Sequence, residues 1–247
     1  REVQIGKTAE RSALSVMMKR IEGKIPDKVY KGLESVFIKA FTSVFEQGRT
    51  LIEKTYNREK ILDDHSIMNY ALEVKGRSRE LKRMKFKARK GDLINFSVTA
   101  LEGVGLGALG IGLPDIVLFI STLFKGIYET ALNYGYDYVN QKEQLIILKM
   151  MTVPLLRGDD RVKADSELEA MFSGDTPLLS DEQFYSCLRE CASLYAMDML
   201  LLKFVQGIPI VGIFAGAVNP VYYKKIIGYA QLKYQKMFIL KKLEALE

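Results

Sequence analysis

The groups in this chain best placed to do chemistry are cations. Residues 77–90 carry eight Lys and Arg side chains against one acid, Glu80, a local charge of +7 in a chain whose formal net charge is +6. The remainder therefore sums to −1, so the positive charge is a local patch, and a local patch implies a particular anionic partner. Lys82, Arg83, Lys85, Lys87, Arg89 and Lys90 are the candidate contacts. A glycine-punctuated apolar run follows, in which Glu102 and Asp115 are the only charges between Leu93 and Phe124. Basic residues beside an apolar segment suit an anionic lipid surface, with charge steering the protein there and apolar area holding it. The same cations could serve a solvated helix face or nucleic-acid phosphates. The chain has no zinc-finger spacing and no aromatic-rich basic strand motif, so no nucleic-acid partner is expected.

Catalytic chemistry finds few candidates. Glu102, Asp115 and Asp198 stand on otherwise apolar stretches, and such an acid more often caps a helix or pairs with a cation, here Lys203, than works on a substrate. His65, in Asp63-Asp64-His65-Ser66, is the single histidine and is expected at the surface. Cys187 and Cys191 lie four apart on one helix face and close no useful loop, which reads as core-facing thiols in a reducing compartment. Two thiols and one histidine cannot complete a four-ligand zinc site, no Ser-His-acid pattern is visible, and no cofactor is implied. Gly103-Val104-Gly105-Leu106-Gly107 begins like a dinucleotide fingerprint. Such a loop follows a strand and needs an acid about 20 residues on, whereas the flanks here are helical in pattern.

Helices must position these groups. The chain has 247 residues, six prolines and no tryptophan; it is 48% hydrophobic and 27% charged with a mean hydropathy of +0.01, which fits a folded helical protein and not a polytopic membrane protein. A short amphipathic helix is expected over Glu10 to Glu22, where Leu14, Met17, Met18 and Ile21 recur at helical spacing. After Pro26, the stripe Val29, Leu33, Val36, Phe37, Ala40, Phe41, Val44 and Phe45 predicts a long helix with a buried face. A third region runs from about Arg58, through Ile61, Leu62, Ile67, Met68 and Leu72, into the basic stretch. Pro114 should open a helix with a narrow polar stripe of Asp115, Thr122, Lys125, Glu129 and Asn133, closed by Gly135 and followed by a helix from about Val139 to Thr152. Residues 157–180 read as a loop with a short helix at Glu167 to Met171; Ser180 and Gln183 then cap a helix to Gln206, and Asn219-Pro220 opens the last, whose surface alternates Lys and apolar residues.

Gly103 and Gly107, like Gly212 and Gly216, are four apart, so each pair makes a flat helical strip that another backbone can approach. With Leu106, Phe119, Ile213 and Phe214 they form the expected apolar pocket or close helix contact. Leu93 to Leu113 is just long enough to cross a bilayer, while Pro114 to Phe124 and Ile210 to Val218 are too short, so burial in the core is favoured. The expected architecture is a single all-α domain with two central glycine-rich helical hairpins.

The run Ala100-Leu101-Glu102-Gly103-Val104-Gly105-Leu106-Gly107, continuing to Gly112-Leu113-Pro114-Asp115 and closed by Tyr134-Gly135-Tyr136-Asp137, resembles the EcsC family. Gly207-Ile208-Pro209-Ile210-Val211-Gly212 with Asn219-Pro220 is similar to that family's second apolar segment, and the likeness covers roughly Lys82 to Lys233. It implies a bacterial, cytoplasm-facing helical protein at the inner face of the membrane, near an ABC-type exporter, and carries over no catalytic residue. The expected function is non-enzymatic binding of anionic phospholipid or an acyl chain. The alternative is a helical adaptor that docks on an ABC-type transporter without touching lipid.

Overall fold

The computed structural model describes residues 25–75, 78–89, 114–173, 179–206 and 218–245, and these are all-α, without strands. Helix α1 (Asp27–Ser43) runs through a π-helical turn (Val44–Gly48) into the short α2 (Arg49–Glu53). Then come α3 (Arg58–Lys75), α4 (Ser78–Arg89), α5 (Pro114–Asn133), α6 (Gln141–Thr152), α7 (Gly158–Ala170), α8 (Asp181–Gln206) and α9 (Val218–Glu244). The boundaries follow local chemistry. Pro26 sits extended before α1 and Pro114 is the first residue of α5, positions where a missing N–H costs nothing. Gln183 N donates to Ser180 Oγ at 3.3 Å and Ser180 N donates to Gln183 Oε1 at 2.9 Å, a reciprocal cap for α8. Asn140 accepts from the backbone of Lys142 and Glu143 to open α6.

Aromatic contacts fix the helix directions. Phe45 meets Phe184 near the start of α8, and Phe37 and Phe41 meet Tyr195 further along it, so α1 and α8 are antiparallel. Phe119 packs edge-on to Tyr222, and Tyr134 packs on Phe238, so α5 and α9 run parallel. Helix α6 returns against α9, with Glu143 beside Tyr234 and the Met151 carbonyl accepting from Tyr195. These directions gather the starts of α1, α5 and α9 and the end of α8 at one end of the body. The expected helix Glu10 to Glu22 and the glycine-rich segments of both hairpins, within 90–113 and 207–217, lie outside the described residues, while the arm that begins at Pro114 is α5. The described ends that lead to them, at residues 25, 114, 206 and 218, converge there.

The structure corrects expectations about α7 and α9. Residues 158–170 are a helix, α7, and not a loop. Only Leu168 of α7 is buried; the helix is held instead by Lys233 of α9, whose Nζ lies 2.7 Å from both Asp165 and Glu169, with Tyr229 donating to Asp165. Lys233 is accordingly 4% exposed, against the reading of α9 lysines as surface. Within the polar stripe of α5, Lys125 and Asn133 are buried and Thr122 and Glu129 half-buried, and Asn133 Nδ2 donates to the Glu129 carbonyl at 2.7 Å.

Gly135 is required twice over. Its φ of +78° is left-handed, and a Cβ there would overlap the His65 ring. His65 is half-buried and not at the surface as expected: its Nδ1 is 3.0 Å from the Asn133 carbonyl and its ring packs edge-on to Phe238. Burial lowers its pKa, so at neutral pH the ring is uncharged and Nδ1–H donates to the carbonyl. Gly135→Ala is expected to cost at least about 2 kcal/mol from backbone strain and displacement of His65. Urea denaturation measures it, and a loss below about 0.5 kcal/mol would show that the turn relaxes freely.

Candidate functional site

The basic residues sit on α4, which pairs with α3, and the α3–α4 pair is fastened to the body at several points. At the entry to α3, the Tyr56 and Tyr138 hydroxyls lie 2.8 Å apart, Tyr138 donates to Glu53 at 2.9 Å, and Arg58 bridges to Asp137 at 3.3 Å over the Tyr138 ring. Burial raises the Tyr138 pKa to about 12, so this phenol stays protonated and donates. His65 ties the middle of α3 to the end of α5, and Lys242 of α9 bonds Glu73 near its end. Helix α4 turns Glu80 and Met84 inward, and its Lys87 reaches Asp64 of α3 at 2.8 Å.

The outward row of α4 is Arg79, Lys82, Arg83 and Phe86, at steps of three, one and three that keep one helical face. Phe86 is 62% exposed, so the row is cationic around an aromatic ring in solvent. Of the expected headgroup contacts, Lys82 and Arg83 lie on this row and Lys85 is half-buried on the flank. Lys87 is engaged by Asp64, and Arg83 is 3.6 Å from Glu80. Arg89 is the last residue of α4, and Lys90 lies outside the described residues. Sequence reasoning missed Arg79 and Phe86 as members of the row, although their spacing from Lys82 and Arg83 was the signal.

Of the apolar candidates, Gly103, Leu106, Gly107, Gly212, Ile213, Phe214 and Gly216 lie outside the described residues. Phe119 is 3% exposed and fully packed, edge-on to Tyr195 and Tyr222, so it takes the close-packing role. A close helix approach permitted by glycine occurs at Gly126, where a Cβ would come within 2.9 Å of Ile227 on α9. An open depression of about 550 Å³ lies over the α2–α3 turn, lined by polar side chains including Glu53, Lys54, Tyr56, Asn57 and Arg58. Among the described residues one helical window, Ile116–Asn133, has the length and mean hydropathy (1.2) of a membrane span, and 83% of it is buried inside the body.

A family model for the EcsC protein family matches residues 6–238. The chain belongs to the EcsC protein family. The match reaches well before Lys82, so the N-terminal helices belong to the family unit together with the apolar runs. No curated protein and no solved structure matches the chain.

In this EcsC protein Asp198 has structural partners, while Glu102 lies outside the described residues. Asp198 pairs with Arg157 and accepts from Tyr222 at 2.6 Å, joining the start of α7 to α8 and α9; Arg157 takes the place expected for Lys203. No group of three or more His, Cys, Asp or Glu among the described residues could hold a metal. Cys191 is buried, with its thiol pKa pushed up to about 12 by burial, and Cys187 is half-buried. Glu143 was not foreseen. It opens α6 yet is 6% exposed against α9, where Tyr234 donates to it at 2.6 Å. Burial, opposed by the Tyr234 hydrogen bond and reinforced by Asp137, raises its pKa to about 7. Its nearness to the Asn140 cap hid it, because an acid in a first helical turn reads as solvent-facing.

The native state therefore holds the Glu143 proton more tightly than the unfolded chain, where it leaves near pH 4.5. Stability should fall as pH rises from about 4.5 to about 7 and stay low above, a linked cost of up to about 3 kcal/mol. Glu143→Gln is expected to flatten that slope and to exceed the parent in stability at pH 8. Parallel stability curves from pH 4.5 to 8 for the two proteins would refute the assignment.

Proposed function

We propose that this EcsC protein is a non-enzymatic, membrane-peripheral protein that binds anionic phospholipid, with the outward face of α4 as the contact. The observation that supports it most is the row Arg79, Lys82 and Arg83 around an exposed Phe86 on a helix whose other face is packed into the body. Cations on such a face gain about 1 kcal/mol each near an anionic leaflet, and an aromatic ring among them adds interfacial affinity. The described helices are held together by their own core, so binding does not require the body to unfold.

The test is co-sedimentation with vesicles carrying about a third phosphatidylserine, at low and at physiological salt. Arg79→Gln, Lys82→Gln and Arg83→Gln together remove three exposed charges, Arg83 also giving up its ion pair with Glu80, and should weaken binding roughly 100-fold if each contributes about 1 kcal/mol. Parent binding should fall as salt rises. Absence of parent binding at low salt, or equal binding by the triple variant with unchanged helical content, overturns the proposal.

A further inference from the structure

Helix α3 has an apolar row that its role in the core does not explain. Ile61, Met68 and Leu72, with His65 among them, turn toward the body, while Ile67, Tyr70 and Val74 face solvent at 68%, 69% and 64% exposure. Steps of three and four place the outer three in one line. With Phe86 of α4, this pair of helices carries four of the nine large apolar side chains that are exposed among the described residues.

The two outward rows look the same way. At about 100° per residue, Asp64 and Lys87 fall on the flanks of their helices, between the body-facing and outward rows, and they bond each other at 2.8 Å. The row Ile67, Tyr70, Val74 and the row Arg79, Lys82, Arg83, Phe86 therefore lie side by side on the surface of the α3–α4 pair that points away from α5 and α9. Asp63 stands at the start of the α3 row, and Glu73 is drawn aside by Lys242.

Resting on the lipid-binding reading above, we infer that the α3–α4 pair lies flat on an anionic membrane, Ile67, Tyr70 and Val74 entering the headgroup boundary beside Phe86 while Arg79, Lys82 and Arg83 meet phosphates. Charge selects this occupant. A second copy docked on the same face would bring two sets of three cations together, which opposes association, whereas an anionic leaflet complements the cations and accepts the apolar row.

The chain contains no tryptophan, so Tyr70→Trp places a single indole fluorophore in the row. With anionic vesicles its emission should shift to the blue and be quenched by lipids brominated on the acyl chain, with neither effect on purely zwitterionic vesicles. Ile67→Ser, Tyr70→Ser and Val74→Ser together, all solvent-exposed, should weaken vesicle binding by about tenfold or more. If the parent binds anionic vesicles but the indole emission of the Tyr70→Trp variant does not move and the serine variant binds equally, the inference fails and the α4 proposal stands. If the parent does not bind at all, the broader proposal fails with it. A blue shift that grows with protein concentration in the absence of vesicles would show the row to be a self-association surface and would also overturn the inference.

Discussion

One buried ring holds the body together. Tyr195 of α8 is fully buried, with Phe37 and Phe41 of α1, Phe119 of α5 and Tyr222 of α9 around it, and its hydroxyl donates to the Met151 carbonyl of α6 at 3.3 Å. Five helices thus meet at one side chain. Aromatic pairs at these separations contribute beyond simple area burial, and the phenol satisfies its polar atom without reaching water. Because the ring fixes α1, α5, α8 and α9 relative to one another, it also fixes where their ends point.

Around that body the polar bonds do a different job. Lys233 between Asp165 and Glu169, Arg157 with Asp198 and Tyr222, and Tyr234 with Glu143 each attach an outer helix or turn to α9. A buried cation or acid with its partner in place is a costly group satisfied, and it specifies one docking geometry where an apolar contact would allow several. The α3–α4 pair is attached by more exposed bonds, Lys242 with Glu73 and Arg58 with Asp137, together with His65 on the Asn133 carbonyl. Its outer surface leaves Ile67, Tyr70, Val74 and Phe86 largely exposed to solvent.

Much of this was legible in residue order because local chemistry decided it. The Ser180–Gln183 cap, the Pro114 start, the Gly135 stop and the stripe from Leu33 to Val44 each depend on neighbours within one or two turns. Helix α7 was not legible, since its acidic sequence shows no apolar period and its partner Lys233 is 64 residues away from Glu169. The same distance effect hid the burial of Lys125 and Lys233 and the enclosure of His65. Helix α3 misled in the opposite sense: it is apolar on two faces, so spacing alone could not say which face met the body. On α4 the charge was evident from composition, but which cations face solvent depended on Glu80 and Met84 turning inward.

The pairing of α1 with α8 also constrains how the chain is made. Glu46 and Tyr185, which share a hydrogen bond across this contact, are 139 residues apart. At roughly 5 to 20 residues per second, a ribosome delivers the second half of that contact on the order of ten seconds after the first. Through that interval Phe37 and Phe41 have no native partner on α8, and the nascent chain carries an oily helix that any chaperone, or any nearby bilayer, is free to meet first.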